Sequence, residues 1–172
     1  PTVGNCRICL VSVEGQGKLL PACATPAAAG MVVHTESPAA IENRRGVLGM
    51  LLERYPLEHL QGNGHAPPPR NEFEQYITRY QVPLPSEQPL GLRGGDTRPG
   101  DVMIQHDMSL CILCTRCVRA CDDIQEVGVL DVGQRGAHTE IIVGGDGDPD
   151  HAGCTWCGEC VRVCPTGAIF EV

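Results

Sequence analysis

The sequence predicts an α+β chain in three parts: a cysteine-flanked hairpin, an α-helical spacer, and a cysteine-rich module built from two related halves. Three observations predict it. The 11 cysteines among 172 residues fall into three groups: Cys6, Cys9 and Cys23; Cys111, Cys114, Cys117 and Cys121; and Cys154, Cys157, Cys160 and Cys164. Between Cys23 and Cys111 there are none, and that interval holds the two segments with helical periodicity. The chain carries 21 glycines and 14 prolines but only two Phe, three Tyr and one Trp. So few large apolar side chains cannot organise the whole fold by packing, and metal-bound thiolates are expected to organise the rest. The expected limits are 1–36, 37–100 and 101–172.

Leu10 to Val13 and Lys18 to Ala22 read as short strands joined by Glu14-Gly15-Gln16-Gly17, a glycine-rich hairpin turn. The first cysteines flank this hairpin. Met31 to Thr35 is a further strand, entered through a loop marked by Thr25-Pro26 and Gly30. Ile41 to Tyr55 carries Ile41, Leu48, Leu51, Leu52 and Tyr55 at helical spacing and stops before Pro56. Asn71 to Tyr80 repeats the pattern with Phe73, Tyr76, Ile77 and Tyr80 on one face, as a helix packed on a neighbour. From Gln81 to Gly100 proline and glycine dominate, which predicts an extended strap or linker.

Composition narrows the function. A cysteine content of 11 in 172 is below the ~8–10 % of a disulfide scaffold, no secretory leader is visible, and no apolar run approaches the ~18 residues of a membrane span. A soluble, cytoplasmic protein with metal-binding cysteines is expected. The formal charge of −8 is spread without long single-sign runs and argues against nucleic acid as the main partner. Nucleotide-binding glycine motifs and nucleophile constellations are absent, so no catalytic residue is assigned.

Cys111-x2-Cys114-x2-Cys117-x3-Cys121 and Cys154-x2-Cys157-x2-Cys160-x3-Cys164-Pro165 each reproduce the run of bacterial-type ferredoxins, in which the fourth cysteine serves the other cluster. The pattern assigns Cys111, Cys114, Cys117 and Cys164 to one [4Fe-4S] centre, and Cys154, Cys157, Cys160 and Cys121 to a second. The competing reading is a pair of structural zinc sites, since CxxC pairs also bind zinc; a third cysteine at the next x2 position is superfluous to it. Arg116, Arg119 and Arg162 lie between ligands, either offsetting cluster charge or forming a solvated face. Ile112, Val118, Val161, Val163, Ala168 and Ile169 are expected to keep water from the clusters. His106, Asp107 and His138 read as solvent-exposed, with hydrogen bonding to a cluster as the alternative. Gly144 to Asp150 reads as a plain acidic turn rather than a calcium loop.

Gly4-Asn5-Cys6-Arg7-Ile8-Cys9-Leu10-Val11, Leu20-Pro21-Ala22-Cys23-Ala24-Thr25-Pro26 and Gly30 to Val33, together with the run from Cys111 to Arg119, Arg135-Gly136 and the second run, resemble a known family. Its members are the diaphorase small iron–sulfur subunit of NAD-linked [NiFe] hydrogenases, the large iron–sulfur subunit of complex I, and the NAD-linked formate dehydrogenase catalytic subunit. The resemblance spans nearly the whole chain. It implies a partial plant-type [2Fe-2S] ferredoxin (β-grasp) module, a helical spacer, and a bacterial 2×[4Fe-4S] ferredoxin-like module. It also implies that Cys6, Cys9 and Cys23 are ligands of a [2Fe-2S] centre.

Two departures from the family pattern matter. The [2Fe-2S] centre of the family has a fourth cysteine a short loop before the position of Cys6, so an incomplete chain is expected, with one more cysteine upstream of Pro1. Many relatives also hold a further [4Fe-4S] centre between the modules through one His and three Cys. Here Tyr55 to Tyr80 has His59 and His65 but no thiol, and no cluster is expected there. The resemblance implies a non-catalytic electron-transfer component of an NAD(P)-linked oxidoreductase complex. Its implied partners are a flavin/NAD(P)H-binding iron–sulfur subunit and a catalytic subunit, a hydrogenase before a formate dehydrogenase or a complex I-like arm. A free-standing ferredoxin and a structural metal-binding scaffold are the alternatives.

Overall fold

In the computed structural model, residues 4, 6–60, 69–88, 90–94, 103–144, 147, 148, 150 and 152–171 are described, His59 by its backbone only. The first part is a three-stranded antiparallel sheet of β1 (Leu10–Val13), β2 (Leu20–Pro21) and β3 (Val33–His34), ordered β2-β1-β3. The hairpin pairs Val11 with Leu20 and Leu10 with Pro21. Its turn needs Gly15 at φ 78° and is tied by the Gln16 amide donating to the Val13 carbonyl at 3.0 Å. Val11 and Val13 alternate inward, the period of a half-buried strand.

The helix α1 (Pro38–Leu52) packs on β1. It begins three residues before the expected Ile41 because Ser37 accepts from the Ala40 amide and Pro38 occupies the first turn. That pairing of a hydroxyl cap with proline is a strong helix start. Arg44 reaches back from α1 to the Leu10 carbonyl. The helix α2 (Glu72–Arg79) is capped by Asn71, whose Oδ1 accepts from the Glu74 amide at 2.9 Å. Leu48, Leu52, Tyr55, Phe73, Ile77, Tyr80 and Val82 form the buried core between the two helices. Ile8, from the first cysteine loop, and Ile112, from the second, both pack against it. The spacer core therefore adjoins two cysteine groups at once.

The strap after α2 is anchored rather than free. Val82 is buried, and the Leu90 amide and the Gln88 side chain both donate to the Glu53 carbonyl, at 3.1 and 2.9 Å. The last part holds two separate ladders. β4 (Ile104–His106) pairs antiparallel with β7 (Ile169–Glu171), closing its beginning onto its end, and β5 (Leu130–Gly133) pairs with β6 (Glu140–Val143) as a hairpin between the cysteine runs. Two short helices, α3 (Arg116–Arg119) and α4 (Glu159–Arg162), pack on each other. The buried cluster here includes Cys111 and Cys117 beside Met108, Ile141, Ala168 and Ile169, so thiols occupy core positions. Among the described residues, no helix is long and apolar enough to cross a membrane.

Candidate metal centre

The two cysteine runs share one backbone. Leu113 and Thr115 adopt φ 54° and 58°, and the matching positions of the second run, Trp156 and Gly158, adopt 54° and 71°. Left-handed conformations at Leu and Trp are unfavourable by about 1–3 kcal/mol each. Their recurrence at equivalent places marks a shape both runs need. It curls Cys-x2-Cys-x2-Cys around a hollow and launches a four-residue helix directly after Thr115 or Gly158. Each helix then carries the chain past its own hollow before its fourth cysteine. Cys121 leaves α3 in a π-type turn over Ala120–Ile124, and Cys164 follows α4.

As a result the runs cross. Cys111, Cys114, Cys117 and Cys164 line one cavity, and Cys121, Cys154, Cys157 and Cys160 line a second, more open one. His106 and Ile169, opposite each other in the β4–β7 ladder, line both cavities and form the wall between them. His106 is 9 % exposed, which corrects the expectation that it faces solvent: β4 has too few residues for its inward face to be read from sequence. His138 is exposed.

Burial dominates the chemistry of these thiols. It pushes Cys111 and Cys160 up to about 11 and Cys117 up to about 12, with neighbouring cysteines adding to the shift. Burial also raises Cys114. A metal-free chain keeps these groups protonated at neutral pH, and binding metal releases the protons. Sulfur already receives backbone donors: the Leu113 amide points to Cys111 Sγ at 3.4 Å, and the Val129 amide to Cys121 Sγ at 3.3 Å.

The donor sets fit iron–sulfur clusters. Each cavity offers four thiols and an apolar lining, the donor set of a four-thiolate cluster.

Cys6, Cys9 and Cys23 lie together at the first sheet. Cys9 precedes β1 and Cys23 sits in the turn after β2, and the Ala22 amide donates to the Cys9 carbonyl at 3.2 Å, so the hairpin closes them to a Sγ–Sγ distance of 3.2 Å. Burial works against ionisation of Cys9, but hydrogen bonds from Cys23 outweigh it and hold the thiol below its ordinary value; Cys23, bonded to Cys9, is raised. Cys6 is exposed.

Around the cavities, Arg116 forms a bidentate pair with Glu72 of α2 at 2.6 and 3.0 Å, and Arg162 pairs with Glu159. Both arginines thus have carboxylate partners. The acidic turn has a positioning role that its composition did not signal: Asp150 accepts from Trp156 Nε1 at 3.0 Å, holding the indole against the second cavity. The rest of Gly144 to Asp150 lies partly outside the described residues. So does His65, along with the side chain of His59.

Residues 2–38 match the 2Fe-2S iron-sulfur cluster binding domain, and residues 101–170 match the ferredoxin-like domain of NADH-quinone oxidoreductase subunit 3. The chain is 36 % identical to an NADH-quinone oxidoreductase subunit of Rhizobium meliloti, across 99 % of this chain and 20 % of that protein. It is likewise 36 % identical to NADP-reducing hydrogenase subunit HndD of Solidesulfovibrio fructosivorans, across 97 % of this chain and 28 % of the relative. It therefore spans between a fifth and a third of the length of these curated relatives. The crystal structure of an NAD+-reducing [NiFe]-hydrogenase in the H2-reduced state superimposes with a TM-score of 0.73 at 24 % identity, over 99 % of this chain and 70 % of that one, and shows a common fold. Over nearly its whole length the chain thus matches the iron–sulfur module shared by this NADH-quinone oxidoreductase subunit, the NADP-reducing hydrogenase subunit and their relatives.

Proposed function

We propose that this chain relays single electrons within a multi-subunit oxidoreductase, between a flavin/NAD(P)H site on one partner and a catalytic site on another. A hydrogenase is the favoured catalytic partner, ahead of a formate dehydrogenase or a complex I-like arm. The reading rests on one observation above others: two cavities, each lined by three cysteines of one run and the fourth of the other, separated by the His106–Ile169 wall. In this reading Cys111, Cys114, Cys117 and Cys164 hold one [4Fe-4S] cluster, and Cys154, Cys157, Cys160 and Cys121 hold the second. Cys6, Cys9 and Cys23, with one further cysteine, hold a [2Fe-2S] cluster. The parts 1–36, 37–100 and 101–172 then serve as first electron site, spacer and paired relay.

Bound there, each cluster supplies a one-electron redox step. The protein's own residues do the remainder. Thiolates fix the positions, His106 and Ile169 exclude water from the gap, and the Leu113 and Val129 amides polarise ligand sulfur, which favours the more negative reduced state. With no cysteine between Cys23 and Cys111, electrons cross from the first site to the pair by a direct hop or through a partner subunit.

The test is the iron and acid-labile sulfide content of the intact complex, with EPR separating [2Fe-2S] from [4Fe-4S] signals. The expected protein is brown, bleaches with dithionite and purifies with a flavoprotein. A colourless protein containing zinc sinks the relay. A brown protein that purifies alone as a monomer points to a free-standing ferredoxin instead.

A further inference from the structure

The strap that leaves α2 delivers a cation to Cys111, one of the residues lining the first cavity. Its anchors on the Glu53 carbonyl, through Gln88 and Leu90, set Arg93 beside Cys111, where Nη1 donates to the Cys111 carbonyl at 2.9 Å. The Arg93 Nε is buried without a hydrogen-bond partner, and no carboxylate lies within ion-pair distance of this guanidinium among the described residues. The neighbouring charge it feels from the end of α1 is another cation, Arg54. Arg116 and Arg162, also close to the cavities, are satisfied by Glu72 and Glu159. Arg93 differs from them in having only a neutral carbonyl.

A partly buried cation without an anion is unfavourable, so a countercharge is expected beside it. The group next to it that becomes anionic when metal binds is the Cys111 thiol, which lines the first cavity. A four-thiolate cubane carries about −2 when oxidised and about −3 when reduced, and net charge is one of the determinants of its potential. A fixed positive charge stabilises the −3 state more than the −2 state.

We infer that Arg93 is a positioning residue for the first cubane, its permanent countercharge, held by the strap so as to raise that cluster's reduction potential above what the cysteines alone would give. The step is a simple electron addition: one electron enters the cubane from the external reductant, no bond is made or broken, and the guanidinium keeps its protons. The inference rests on the ligand reading above. It also gives the strap a function, because the segment that fastens spacer to cluster module supplies the charge.

The test is an EPR-monitored redox titration of the iron-loaded protein in its complex, comparing wild type with Arg93→Gln and Arg93→Lys. Glutamine keeps a donor for the Cys111 carbonyl but removes the charge; lysine keeps the charge. With Arg93→Gln, one cubane step is expected to move to lower potential, its one-electron equilibrium shifting about tenfold toward the oxidised form, which corresponds to 59 mV for a one-electron couple. The other cubane and the [2Fe-2S] centre stay in place, and Arg93→Lys stays within about threefold of wild type. Full iron content with unmoved midpoints in Arg93→Gln overturns the inference and leaves the relay standing, as does an equal fall of all three centres. Should Arg93→Gln lose its iron, Arg93→Lys decides: a tenfold displacement despite the retained charge refutes the countercharge role. A wild-type protein without iron removes the relay and this inference together.

Discussion

Asn71 Nδ2 donates to the Thr166 carbonyl at 3.1 Å, across 95 positions of chain. The contact fastens the start of α2 to the residue two beyond Cys164. The Phe73 amide adds a bond to the Pro165 carbonyl at 2.9 Å, and the Arg116–Glu72 pair a third tie from α3. The spacer helix therefore buttresses the loop that carries Cys164.

Asn71 does two jobs that substitution can separate. Its Oδ1 caps α2, and its Nδ2 bonds the Thr166 carbonyl and the Tyr55 hydroxyl. Asn71→Ala loses both and is expected to cost about 2 kcal/mol. Asn71→Asp keeps an acceptor for the cap and loses the donors. Chemical denaturation checks the order: Asn71→Asp should fall between wild type and alanine. An aspartate variant as stable as wild type would show that the tie to Thr166 contributes nothing.

Glu74, 1 % exposed, makes the stability of the spacer pH-dependent. Its carboxylate accepts from the Tyr55 hydroxyl, the Arg70 guanidinium and the Arg70 amide, each at 2.8 Å. Burial alone would raise its pKa, but the Arg70 and Tyr55 bonds outweigh it and hold the carboxyl below the usual carboxylate range. The unfolded chain then binds the proton first as pH falls. The contribution is complete above about pH 4.3, the unperturbed value, and is lost as pH drops through the lower folded one. Glu74→Gln should destabilise by about 1–3 kcal/mol at neutral pH and flatten the acid limb of a midpoint-against-pH curve. An acid limb as steep as wild type would assign the loss to other carboxylates.

Much of this architecture was legible because spacing carried it. The hairpin through Gly15 and the α2 face of Phe73, Ile77 and Tyr80 are local patterns that appear where their period places them, whereas Tyr76, expected on that same face, is exposed and stacks on Tyr80 at the helix edge. The start of α1 was misplaced because Ser37 and Pro38 precede the first apolar position; the cap, rather than hydrophobicity, begins the helix. The β4–β7 ladder joins residues far apart in sequence, with three residues on each side, too short for an alternating pattern to announce. The buried His106 and the Arg93–Cys111 contact depend on that long-range closure and on the strap anchored at Glu53. Likewise the left-handed Leu113 and Trp156 are conformations that neither residue type favours; the demands of the turn override local preference.

The crossing itself yields the sharpest prediction. If Cys164 belongs with Cys111, Cys114 and Cys117, a lesion in the second run must damage the cluster of the first, and the converse holds for Cys121. Cys164→Ser is expected to weaken or convert one cubane while the signal of the other keeps its line shape, and Cys121→Ser to do the reverse. The α3–α4 packing and the shared His106–Ile169 wall stay in place in both variants, so a modest loss of stability is expected in each. To identify which signal is which, Cys114→Ser serves as a marker of the first cavity and Cys157→Ser of the second. Cys164→Ser must then match the Cys114→Ser spectrum, and Cys121→Ser that of Cys157→Ser. The opposite pairing would mean that each run closes its own cluster, and the two halves would be joined by packing alone.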